Sequence, residues 1–155
     1  MSARGMAILA PLALLLTLTV SPVCARAADA HENRDRVLPG CGICYPGGYD
    51  INTAGEVRGT IMDLQVPAEG PVRFVVAGGG EQWVVLASPV WFWKSAELRF
   101  APGDAVSVRG SKTLGSDGTL YLVAREIQHA GDAPVLVLRD RSGAPLWRGR
   151  HRGSQ

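Results

Sequence analysis

The chain has 155 residues, 46% of them hydrophobic and 19% charged, which is enough for one domain with its own core. Its 16 basic residues barely exceed its 14 acidic ones. Removing residues 1–27, which hold Arg4, Arg26 and no acid, leaves 14 of each sign, so the basic footprint of a nucleic-acid binder is absent.

Arg4 followed by the apolar run Ala7–Val20 reads as a signal peptide. The run is short for a membrane span, and Ser21-Pro22 ends it. Small residues allow cleavage after Ala27 or after Ala25, and Ala27 is preferred. Ser21-Pro22-Val23 before Cys24 makes a poor lipobox, so Cys24 leaves with the leader. The expected address is periplasmic or secreted, with no transmembrane segment after cleavage.

Residues 28–49 are read as a flexible arm. Ala28–Pro39 is polar, charged and without period, and Gly40–Tyr49 is rich in Gly, Cys and Pro. Residues 50–149 form the expected domain, and 150–155 a disordered tail.

Five strands are expected. Glu56–Leu64 puts Val57, Gly59 and Ile61 on one face, and Gly59 suggests a bulge or sharp bend. Val72–Ala77 follows the loop Gln65–Pro71, with Val72, Phe74 and Val76 sharing a face. Gly78-Gly79-Gly80-Glu81 is a hairpin turn; it lacks the Lys-Ser/Thr and the helix of a phosphate loop. Gln82–Leu86 is the third strand.

Ser88-Pro89 then opens a helical insert, Pro89–Leu98, with Ser88 as N-cap. Trp91-Phe92-Trp93 offers a stacking platform or, more in keeping with aromatic burial, a core plug. Pro102-Gly103-Asp104 turns the chain into the fourth strand, Ala105–Arg109. Leu120–Ile127 is the fifth, after the loop Ser111–Thr119. The core is expected to hold Val57, Ile61, Phe74, Val76, Val106, Val108, Leu122 and Ile127; the last two have opposite parity, so burying both requires a bulge or twist between them. Gly131–Arg150 reads as a terminal hairpin, with Trp147 covering an open end of the barrel.

Val57-Arg58-Gly59, Pro89–Trp93, Pro102-Gly103-Asp104, Val106–Gly110, Ala124–Ile127 and Leu138-Arg139-Asp140 with Gly143 and Pro145-Leu146-Trp147 carry a resemblance. Over about Tyr49–Gly149 the chain is similar to a small secreted bacterial family, the domain shared by magnetosome-associated MamS/MamX-type proteins. The resemblance implies an all-β fold: a five-stranded OB-fold-like Greek-key barrel, a short helical insert between strands three and four, and a C-terminal hairpin. It implies no reaction.

Three readings of Cys41-Gly42-Ile43-Cys44 stay open: a disulfide, local or to another chain; thiol–disulfide exchange; or part of a metal site. Exchange is disfavoured because Pro46-Gly47-Gly48 blocks a following helix. A metal site lacks further ligands: His31, His129 and His151 have no ligand spacing among them. Tyr45 stands where haem attachment requires His. No cofactor, metal or catalytic residue is assigned.

Basic and aromatic residues at alternate strand positions give a candidate ligand face of Arg73, Val75, Trp83, Val85, Tyr121 and Arg125. The leading reading is a non-enzymatic periplasmic binding module whose partner is a protein or a small ligand. The alternative is a redox or metal-handling accessory protein using Cys41 and Cys44.

Overall fold

The computed structural model describes residues 35–131 and 133–148. The leader and the tail 150–155 lie outside the described residues. The fold is mostly β with very little helix.

Two short strands, β1 (Arg36–Val37) and β2 (Cys44–Tyr45), pair as an antiparallel hairpin. A 3₁₀ turn, Ile51–Thr53, capped by the Asp50 carboxylate on the Asn52 N–H, leads into the long strand β3 (Ala54–Gln65). Then come β4 (Pro71–Gly78), β5 (Glu81–Pro89), helix α1 (Val90–Ser95), β6 (Ala105–Leu114), β7 (Leu120–His129) and β8 (Val135–Val137).

The sheet runs β5-β4-β3-β6-β7-β8, and a parallel pairing of β5 with β7 closes the five strands β3 to β7 into a barrel. Antiparallel neighbours in sequence are joined by tight turns, as at Gly79 and Gly80, where both φ values are positive. The parallel pair needs a longer crossover, and α1 lies within it. The helix is shorter than its expected span. Its cap position is Pro89, and no side chain caps it. Ser88 is instead wholly buried at the end of β5.

All eight expected core residues are buried, with Val76, Val108, Leu122 and Ile127 at 0% exposure. The opposite parity of Leu122 and Ile127 is resolved by a bulge. The register steps from Arg109↔Glu126 to Gly110↔Ala124, which leaves Arg125 as the extra residue. The bulge in β3 is at Met62, between Ile61 and Asp63, not at Gly59. Gly59 serves a close crossing: a Cβ there would collide with the Ala77 carbonyl.

Aromatic rings close one end of the barrel. Trp93 packs on Phe74 (centroids 6.2 Å apart) and Phe100 (5.7 Å), and Phe92 on Trp147 (5.5 Å). Phe92 and Trp147 are buried while Trp91 and Trp93 are half-buried, so Trp91-Phe92-Trp93 is mainly packing. After β8 the chain folds back through the bridge Arg139↔Pro145.

The largest departure from the sequence reading is at residues 35–49. Read as an arm, they are packed: Leu38, Cys41, Ile43 and Tyr45 belong to the same buried cluster as the barrel. Arg148, at the far end of the described residues, pairs with Asp35.

Candidate functional site

The outer side of β4, β5 and β7 is the first candidate. Directly opposed residues of paired strands share a face. Val75↔Val84, Arg73↔Leu86, Val84↔Tyr121 and Leu86↔Val123 therefore place Arg73, Val75 and Tyr121 outside the barrel wall. Arg125 follows on the same strand at the bulge. Val76↔Trp83, Phe74↔Val85 and Val85↔Leu122 place Trp83 and Val85 inside. The six expected face residues are thus divided by the barrel wall. Trp83 lies near one barrel end, its indole N–H donating to Glu81 at 3.1 Å and Lys112 Nζ 5.0 Å above its ring. Arg73, Val75 and Arg125 are half-buried, but Tyr121 is only 7% exposed.

Residues 36–45 account for that burial. The hairpin spans from the β3–β4 loop, where Arg36 Nη2 stands 3.2 Å from the place a Gly70 Cβ would take, to the β6–β7 loop. There the Ser116 N–H donates to the Cys41 carbonyl at 2.9 Å. Its own turn is closed by Leu38 N–H to Ile43 O at 2.8 Å. Tyr45 Oη donates to Ala87 O at 2.9 Å, at the far end of β5. Burial drives the Tyr45 phenol well above its usual range, so it stays a neutral donor. The Tyr121 phenol is pushed up to about 12, first by burial and then by its 2.8 Å bond to Asp117.

The two cysteines are not joined to each other. Cys41 is a buried free thiol, and Cys44 is disulfide-bonded. A local Cys41–Cys44 bridge is therefore absent. Cys44 lies in β2 with its sulfur already bonded, and Cys41 sits in the turn with its thiol toward Leu38 O at 3.8 Å. Among the described residues no group of three or more His, Cys, Asp or Glu could hold a metal ion.

Arg139 fastens this segment to the barrel. It is 1% exposed, and donates to Ala124 O at 3.1 Å, Pro46 O at 2.8 Å and Gly143 O at 3.0 Å. Its guanidinium lies 5.8 Å from the Tyr45 and Tyr49 ring centres and 5.1 Å from that of Trp147. Burial lowers its pKa to about 10, still far above neutrality. Nothing in its sequence neighbourhood announced this role, because its acceptors are backbone carbonyls.

The second candidate is the outer side of β3, β6, β7 and β8. Register aligns two rows across these strands: Glu56, Arg109, Glu126, Val137 and Arg58, Ser107, Gln128, Val135. Glu56 is the hub. Its carboxylate accepts from Arg58 Nε, from Ser107 Oγ at 2.7 Å and from Arg109 Nε at 3.3 Å. The Arg58 bond, then Ser107 and Arg109, pull its pKa down to about 2. Arg109 Nη1 lies 3.8 Å from Glu126, and Arg125 Nε pairs with Glu126 at 3.2 Å without hydrogen-bond geometry. A groove of about 630 Å³ opens here, bounded by β3, β6 and the turn at Ala130-Gly131. In the sequence Arg58 and Arg109 stand only within Val57-Arg58-Gly59 and Val106–Gly110, and their shared carboxylate depends on strand pairing.

No helix among the described residues is long and apolar enough to cross a membrane. No curated protein matches the chain. The model of the MamS/MamX magnetosome protein family matches residues 53–133, from the last residue of the 3₁₀ turn to beyond β7, and covers all five barrel strands; the chain belongs to that family.

Proposed function

We propose that the chain is a non-enzymatic interaction module of the magnetosome apparatus, exported to the periplasm and built on an OB-type barrel. The strand order and the parallel closure of the third barrel strand on the fifth support the OB assignment. Family membership supports the association with magnetosomes. The leader-like residues 1–27 support export.

One observation carries the reading of how it binds. The wall of β5 and β7 that would meet a ligand is occupied by the chain's own hairpin, 36–45. A partner therefore meets the half-exposed Arg73 and Val75 beside that hairpin, together with exposed Val37 on it and Val66 in the β3–β4 loop. Such a surface, apolar with a basic edge, suits a protein more than a small enclosed ligand.

Photocrosslinking residues placed singly at Val37, Val66 and Val75 in the native host test this. One discrete adduct shared by these positions, and absent when the probe sits at exposed Arg141, is expected. Adducts spread evenly over all four positions would overturn it. Intact mass of the periplasmic protein tests the address: it should begin at Ala28 or Arg26.

A further inference from the structure

We propose that the groove between β3 and β6 is a binding site for a small polycarboxylate, separate from the partner surface and independent of that reading. Three observations lead there. Glu56 is engaged within the protein: each of its carboxylate oxygens already accepts a bond. It acts as an anchor, holding two guanidinium groups by their Nε atoms. Among the described residues, Arg58 Nη1 and Nη2 and Arg109 Nη2 then have no acceptor. These side chains are 78% and 57% exposed, so the unused donors are reachable.

The donors fix the ligand's chemistry. A guanidinium edge presents parallel N–H groups that match a carboxylate. Arg58 keeps one such edge free and Arg109 adds its single Nη2 group, both held on one anchoring carboxylate, so the site suits a ligand whose first carboxylate takes the Arg58 edge and whose second accepts from Arg109. The volume agrees: about 630 Å³ is far more than a single carboxylate fills and lies within the range of small-molecule sites. Gln128 adds no competing donor, because its amide nitrogen is engaged by Ala133 O at 2.6 Å and Gly131 O at 3.3 Å.

The test is titration of the full mature chain with citrate, acetate and inorganic phosphate at constant ionic strength, followed by amide chemical shifts. Citrate should saturate, with shifts confined to Glu56–Thr60, Ser107–Arg109 and Gln128–Gly131. Acetate and phosphate should bind at least tenfold more weakly. Arg58→Gln with Arg109→Gln should weaken citrate at least tenfold, and Arg141→Gln should not. Both arginines are exposed, so the double variant should keep the wild-type spectrum elsewhere. Equal binding of phosphate and citrate would overturn the polycarboxylate assignment. Citrate affinity unchanged in the double variant, or shifts outside the groove, would overturn the site.

Discussion

Nη1 of Arg139 donates to the carbonyl of Pro46 at 2.8 Å, across 93 residues of chain. That bond joins the C-terminal hairpin to the segment preceding the barrel, and the same guanidinium also holds Ala124 of β7. One side chain thus ties three parts of the fold together. Replacing it by lysine keeps the charge but removes the fork. At least one buried carbonyl then loses its donor, at about 1–3 kcal/mol. Arg139→Lys should lose stability in that range in urea unfolding. A loss too small to resolve would mean the fork is dispensable.

Acid should weaken the β3–β6 charge rows within a definite window. Glu56 titrates near 2 when folded, against an ordinary 4.5. A depressed carboxylate pKa adds stability that is complete above the unfolded value and is lost as pH falls from about 4.5 toward about 2. Glu56→Gln should flatten that part of the stability profile while leaving the profile above pH 6 parallel to wild type. A steepness between pH 4.5 and 2 identical in both proteins would contradict the assignment.

Cys41 should be silent toward a thiol reagent in the native protein and react on unfolding, since it is 3% exposed. Cys41→Ser places a hydroxyl in a cluster with Leu38, Ile43 and Tyr45. It should cost about 1–3 kcal/mol by the ordinary penalty for burying a polar group. Native-state labelling at the rate of a model thiol would show that the hairpin turn is open.

The barrel was legible in the sequence because its strands obey period two. Val72, Phe74 and Val76 alternate cleanly, and all three are buried. Parity also announced the bulge near Arg125, since Leu122 and Ile127 cannot otherwise face one core. The face carrying Trp83 and Val85 was not legible. Strands β4 and β5 alternate with similar residues on both sides, and only the pairing Val76↔Trp83 turns them inward. The hairpin was hidden for another reason. Leu38, Ile43 and Tyr45 are separated by Pro, Gly and Cys, so no local period marks them. Their burial comes from the groove that the barrel offers, which is a long-range property. Glu56, Arg58 and Arg109 became a site only through the β3–β6 register.

Native-state hydrogen exchange tests most directly the claim that residues 36–45 are a fixed cover on the β5–β7 wall. The Leu38 and Gly42 amides bond within the hairpin, and the Ser116 amide bonds to Cys41 O at 2.9 Å. If the cover is part of the fold, these three amides exchange as slowly as Val85 and Leu122 of the barrel. Rapid exchange at all three while the barrel amides stay protected would show an open wall and contradict the account.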